Sequence, residues 1–237
     1  MTDRESDLPD WPKTVAAAKE IQARLAIKVK IGPLAKTPAF IAAADAAFSE
    51  DRVFAAACLF KYPEIELLEE AEATADADFP YVPGFLTFRE GPAVVRALLR
   101  LKKEPDLLLL DGQGTAHPRR MGIAAHLGVL LDVPSIGCAK SRLVGEYETP
   151  GTKKGSWTPL FYRGETVGAA LRTREAVKPV FVSPGHRIDI ADSMKIVFAC
   201  CRGFRIPEPL RRADQLSKLA KRPARGDSTS REKISRS

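Results

Sequence analysis

The sequence holds no run of about 18 or more apolar residues, so nothing in it reads as a membrane-spanning helix. The first ten residues have neither a basic n-region nor an apolar h-region, so no secretory signal is read there. A cytoplasmic protein without a membrane partner is expected. The four cysteines, Cys58, Cys138, Cys200 and Cys201, lack the C-x-x-C spacing of a zinc site or redox dithiol, and Cys58 and Cys138 lie in apolar runs as small core residues. The glycines at 112 and 114 form neither G-x-x-x-x-G-K-[ST] nor G-x-G-x-x-G, so a nucleotide-binding loop is not indicated. No internal repeat is present.

What is present is a chain of 237 residues, 45% hydrophobic, long enough for one sizeable core. The formal charge of +7 favours polyanionic partners, above all nucleic acid. Six Lys/Arg stand against two acids between Lys221 and Ser237. From Arg222 the chain has almost no apolar residues, so 222–237 is expected to be a disordered basic tail beyond a single domain over 1–221.

The element pattern begins with a helix opened by Asp10-Trp11-Pro12 and running through Leu25. Apolar segments Phe40–Phe48, Arg52–Phe60 and Ile65–Ala73, with short connections, predict an antiparallel meander. Phe79-Pro-Tyr-Val-Pro-Gly84 is a rigid turn. A helix is expected from Glu90-Gly-Pro92 to about Lys103, a buried strand over Asp106–Leu110, a helix over Met121–Leu131 and a strand over Pro134–Ala139. A hairpin of Trp157–Tyr162 and Glu165–Thr173 follows, then a short strand over Pro179–Val182 leading into a Ser-Pro-Gly-His186 loop. Helices over Ile188–Cys201 and Glu208–Lys221 complete the pattern. The order predicts a mixed sheet with helices on its faces.

The candidate chemistry centres on Asp111-Gly-Gln-Gly-Thr-Ala-His117-Pro118-Arg119, which follows four leucines. Charge at the exposed end of a buried strand is where α/β proteins place metal ions and phosphates. Asp45 is the single charge in an apolar strand, and Glu90 precedes a predicted helix start. Taken alone, Asp45 reads as a strand-end acid, Glu90 as an acid favoured by a helix dipole, and Asp111-Gly as a turn. Together, carboxylates from separate elements would make an oxygen-ligand site for Mg²⁺ or Mn²⁺. Spacing does not show that the three converge. Lys140, at the end of a short buried strand, is placed either to neutralise a phosphate or to snorkel into solvent. His186 reads as a base, acid or ligand, or as an exposed loop histidine, and His126 as a packed helical residue. Tyr81 and Pro83 sit in a turn rigid enough to push between stacked bases, although a packed connector has the same composition.

Four segments then carry a family likeness: Pro80-Tyr-Val-Pro-Gly-Phe-Leu-Thr-Phe-Arg-Glu90-Gly, Asp111-Gly-Gln-Gly-Thr-Ala-His-Pro-Arg-Arg-Met-Gly, Ile136-Gly-Cys-Ala-Lys-Ser-Arg-Leu143 and Val182-Ser-Pro-Gly-His186. In this order they resemble the endonuclease V family over roughly residues 12–220. The resemblance implies an α/β fold of ribonuclease H-like type, a mixed sheet with antiparallel meander strands and flanking helices. It implies a DNA repair endonuclease that nicks the second phosphodiester 3′ to deoxyinosine by Mg²⁺-dependent hydrolysis, Mn²⁺ substituting, and leaves 5′-phosphate and 3′-hydroxyl ends. Asp45, Glu90 and Asp111 become the metal-binding acids, Lys140 a contact to the cleaved phosphate, and His186 a catalytic group beside the metal. Tyr81 and Pro83 become a strand-separating wedge, and Gly84, Leu86, Gly112, His117, Ile123 and Leu143 the walls of a pocket for a flipped hypoxanthine. The implied partner is inosine-containing DNA, with inosine RNA as the alternative substrate and a catalytically inactive inosine-binding module as a further one. A monomer is expected. The Ala-rich run around Asp45 departs from the glycine, valine and serine usual in the family, and Cys138 replaces a common valine.

Overall fold

Five helices and eight strands make up residues 11–221, the part of the chain that the computed structural model describes; the expected basic tail lies outside the described residues. In chain order the elements are α1 (Val15–Ala26), β1 (Phe40–Phe48), β2 (Arg52–Lys61), β3 (Glu66–Asp76), α2 (Leu86–Leu99), β4 (Leu107–Leu110), α3 (Ile123–Leu131), β5 (Ser135–Ala139), β6 (Trp157–Tyr162), β7 (Glu165–Leu171), β8 (Val180–His186), α4 (Ile190–Ala199) and α5 (Glu208–Ala220). They form one mixed sheet in the order β3-β2-β1-β4-β5-β8-β7-β6. The meander β1–β3 is antiparallel, β1, β4 and β5 are parallel, and β8, β7 and β6 continue antiparallel. The predicted α/β fold with meander strands and flanking helices is therefore present. Among the described residues no helix is long and apolar enough to cross a membrane.

The four-leucine run is a strand because it lies at the sheet's centre, covered on both faces, where polar alternation is not needed. Leu108 and Leu110 join Ala42 and Ala44 under α2 and α3. Leu107 and Leu109 join Ile41 and Ala43 under α4 and α5. Alanines fill β1 and β2 where α5 packs against them, and Ala213 of α5 lies against Cys58 and Phe60. Small side chains on both partners let the helix come close to the strands. The Ala-rich setting of Asp45 is thus a packing feature.

Helix α1 starts at Val15 behind a Thr14 cap rather than at Pro12, and two further elements differ from the sequence expectation where candidate site residues lie. Helix α2 starts at Leu86, so Glu90 lies inside the helix and Pro92 sits in its second turn. Proline was read as a helix opener. Here it removes only one backbone bond, while Phe88, Val94, Val95 and Leu98 bury their side chains and hold the helix in place. Ser183-Pro-Gly-His186 is the buried second half of β8, not a loop. The strand accepts Pro184 because the register slips there: Ser135 pairs with His186 and Ile136 with Pro184, leaving Gly185 as the extra residue of a bulge.

Candidate active site

Strand register sets two carboxylates side by side. Ala44 pairs with Leu110 in the parallel ladder, so Asp45 and Asp111 are the next residues out along adjacent strands. Leu110 also pairs with Gly137, and β5 ends immediately before Lys140. The Lys140 ammonium reaches Asp111, Nζ to Oδ2 at 2.5 Å. Glu90 approaches from α2 with its side chain buried. A fourth carboxylate that the sequence reading missed, Asp214, comes from α5. Its Oδ1 lies 3.9 Å from Lys140 Nζ, and its Oδ2 accepts a hydrogen bond from Lys218 at 2.6 Å. The available signal was a charged residue bordering the buried stripe of Leu210, Ala213 and Ser217.

These acids crowd one another. Burial, then the charge of Asp111, pushes the Asp45 carboxyl up to about 7, with Asp214 adding to the rise and Lys140 opposing it. Glu90 is pushed well above the carboxylate range by burial, then by Asp45 and Asp111. Burial alone would weaken the Lys140 ammonium, but Asp111, Asp45 and Asp214 outweigh it and hold the charge.

A cavity of about 450 Å³ opens over this cluster and is lined by Asp45, Glu90, Asp111 and Lys140. Its other walls include Tyr81, Pro83, Gly84, Leu86, Gly112, His117, Ile123 and Leu143. The structure therefore brings together every candidate site residue except His186. Gly112 has φ +143°, and a Cβ there would lie 2.8 Å from Ile123, so the loop needs glycine to turn along the cavity wall. The loop is stitched from below: Gly114 N donates to Ser183 Oγ and Thr115 N to the Pro184 carbonyl, each at 2.8 Å. The Ser-Pro-Gly segment is thus a support for the glycine loop. Tyr81 stands 72% exposed at the cavity rim, as a protruding ring must.

His186 is not in the site. Because β8 runs antiparallel to β5, its last residue pairs with Ser135, the first of β5, whereas Lys140 follows the last. Four strand steps separate the two ends, about 13 Å. There His186 is buried, Nδ1 accepts from the Lys30 backbone N–H at 3.2 Å, and Nε2 lies 3.3 Å from Asp132 Oδ1. The expectation of a histidine beside the metal is corrected: a loop was assumed where a strand carries the ring to the opposite edge. His126 is packed as expected, stacked on Trp11 with ring centroids 5.6 Å apart.

Comparison with known proteins places this geometry. The Endonuclease V family model matches residues 23–215. The chain belongs to the Endonuclease V family. It is an endonuclease, a hydrolase of phosphodiester bonds. Endonuclease V of Roseiflexus sp. strain RS-1 is 48% identical over 221 residues, covering 93% of this chain and 99% of the relative. The crystal structure of Endonuclease V from Streptomyces avermitilis superposes with a TM-score of 0.85 at 42% identity, covering 90% of this chain and 96% of the other. The Ciona intestinalis Endonuclease V, in complex with a 24-mer DNA containing an inosine followed by a ribo-adenosine, gives a TM-score of 0.76 at 27% identity, covering 88% and 98%.

Enzymes of the Endonuclease V family depend on a metal, and the donor set fits a hard divalent cation. Asp45, Glu90, Asp111 and Asp214 supply only oxygen, and their mutual repulsion exceeds what Lys140 offsets. Among the described residues no three His, Cys, Asp or Glu side chains stand close enough to enclose a metal by themselves. A cation held by one or two of these carboxylates would complete its shell with water and phosphate oxygens, as Mg²⁺ does.

Two outcomes are expected. Unfolded Asp45 ionises near 3.8, and the folded residue near 7. The folded state thus holds a proton that the unfolded chain releases, and this stability is complete below 3.8 and lost as pH rises through about 7. Asp45→Asn is therefore expected to stabilise the metal-free protein at alkaline pH by about 4 kcal/mol, roughly 12 °C in Tm, and by less in acid. Thermal melts in a chelator across the pH range read this directly; an equal gain at every pH contradicts it. His186→Ala is expected to cost about 2 kcal/mol of stability through its lost buried hydrogen bonds, with the nicking rate unchanged well below the melting point. A large loss of rate in the folded variant returns the histidine to the mechanism.

Proposed function

We propose that this Endonuclease V family member is a DNA repair enzyme that hydrolyses the second phosphodiester bond 3′ to deoxyinosine, leaving a 5′-phosphate and a 3′-hydroxyl, with Mg²⁺ as the working metal and Mn²⁺ as a substitute. The observation that carries the reading is the single cavity in which an acid-and-lysine cluster adjoins apolar walls beneath an exposed aromatic turn. The Ciona relative bound to inosine-containing DNA supports the choice of lesion.

Each group then has a task. Tyr81 and Pro83 press between stacked bases and open the duplex. Leu86, Ile123 and Leu143 give apolar walls to an extruded hypoxanthine, and Gly84 and Gly112 let it approach the backbone. His117 forms a wall without a free ring nitrogen, since Nδ1 accepts from the Arg119 and Met121 backbone N–H groups and Nε2 donates to the Gly84 carbonyl at 3.0 Å. Asp45 and Asp111, side by side on adjacent strands, would hold the divalent cation directly, with Glu90 and Asp214 adding negative charge around it; when bound, the cation would supply Lewis-acid charge to the phosphate and its leaving oxygen. Lys140, kept cationic by its acidic neighbours, moves from Asp111 toward the phosphate and offsets its charge.

The test is incubation of an inosine-containing duplex with protein and Mg²⁺, the product mapped to the nucleotide and its ends identified. A nick one nucleotide beyond the lesion's own 3′ phosphodiester is expected. No nick with either Mg²⁺ or Mn²⁺, or release of free base, defeats the proposal. Asp111→Ala is expected to slow cleavage by about a thousandfold, the scale of several kcal/mol of metal-borne stabilisation, and to leave duplex binding measurable. The ribo-adenosine in the strand bound by the Ciona relative motivates a parallel RNA arm. Faster cleavage of inosine RNA than of DNA makes the enzyme an endoribonuclease.

A further inference from the structure

The carbonyl oxygen of Gly84 accepts three side-chain hydrogen bonds from distant parts of the chain. Gln22 Nε2, on α1, donates at 3.0 Å, His117 Nε2 at 3.0 Å and Arg119 Nη2 at 2.7 Å. A carbonyl oxygen has two lone pairs, so three donors saturate it. The donors are also tied to one another. Arg119 Nε donates to Gln22 Oε1, and Gln22 Nε2 also reaches the Met121 carbonyl at 3.2 Å. His117 Nδ1 accepts the backbone N–H groups of Arg119 and Met121 at 3.2 and 3.4 Å. Backbone N–H groups only donate, so Nδ1 is unprotonated and the ring's proton sits on Nε2, aimed at Gly84. Burial, then Arg119, keeps this ring neutral by bringing its pKa down to about 4.

The geometry is specific to the groups present. The Arg119 guanidinium lies over the Phe85 ring at 4.0 Å while its fork spans Gln22 and Gly84. A lysine keeps the charge but presents a point ammonium, which cannot stack on the ring and reach two acceptors at once. Gln22 is fully buried, with both ends of its amide engaged. Gly84 has φ +79°, and a Cβ there would stand 3.0 Å from Arg119 Nη2, so the turn is fitted to the fork. None of the four site carboxylates takes part in these bonds. What the network joins is the tip of the Tyr81–Gly84 turn to the loop that begins at Asp111.

Resting on the function proposed above, we propose that Gln22 and Arg119 are positioning residues for strand opening: by holding the Gly84 carbonyl they make the wedge and the glycine-loop wall one rigid body. A wedge that yields under the restacking force of the duplex cannot hold a base out. A single-stranded substrate needs no such force. Loss of the clamp therefore separates the two substrates, whereas a general loss of structure does not.

The experiment measures kcat/KM on deoxyinosine in a duplex and in the same strand alone, for the full chain and for Arg119→Lys and Gln22→Met. Both variants are expected to lose about tenfold or more on the duplex, the scale of a small misplacement of a rigid contact, and about twofold or less on the single strand. Fluorescence of 2-aminopurine beside the inosine, read in a chelator, is expected to rise on binding the native chain and to rise less with the variants. Equal losses on the two substrates assign the network a purely structural role and overturn the inference. Full duplex activity in Arg119→Lys overturns it as well, since charge alone then suffices. If Gln22→Met does not fold, the partly exposed Arg119 carries the test alone. A native chain that nicks neither inosine strand defeats the function proposed above and this inference with it; one that nicks both, with variants that keep the native duplex-to-single-strand ratio, defeats this inference only.

Discussion

Crowded negative charge at the open end of two parallel strands is the constraint on which the rest of the molecule depends. Asp45 and Asp111 sit beside each other because Ala44 pairs with Leu110, and Glu90 and Asp214 close on them from opposite faces of the sheet. No globular core gathers four carboxylates for stability, since each buried charge is costly to desolvate and repels its neighbours. The arrangement persists because the leucine strand beneath is buried on both faces and cannot shift register without exposing itself. A tightly packed centre thus keeps an electrostatically unfavourable rim in place until a cation and a phosphate relieve it.

The elements around this rim divide two kinds of work. Lys140 and the acids concern charge. The glycine loop and the turn at Tyr81–Gly84 concern shape, and both are pinned by side chains remote in sequence: Ser183 from below, Gln22 and Arg119 from the side. Aromatic contacts among Phe79, Phe85 and Phe88 anchor the turn where it enters α2, and α1 lays Ala18 against the same cluster. The N-terminal helix is part of the cleft's scaffold.

The sequence was most informative where one local signal had one physical meaning. The leucine run, the alternating hairpin and the meander were legible because apolar period and turn residues agree. Lys140 was legible because a short buried strand stops one residue before it. Glu90 was placed at a helix start because Pro92 is a common opener, and only tertiary packing shows that the helix begins earlier. His186 was misplaced because Ser-Pro-Gly looks like a loop, and a bulge that lets proline continue a strand has no local signature. Asp214 was invisible for a different reason. A charged residue beside an apolar stripe is ordinary on a surface helix, and only the sheet beneath α5 shows that this one points to the other acids. The hydrogen bonds at Gly84 join residues up to 62 positions apart, beyond the reach of any local pattern.

The site also has an order of assembly. Asp45, Glu90, Asp111 and Lys140 are all in place by residue 140, but Asp214 lies on α5, the last of the described helices. Synthesis delivers it last, at some tens of seconds per few hundred residues on the scale of about 5–20 residues per second. The fold withholds the complete set of acids until α5 has been made.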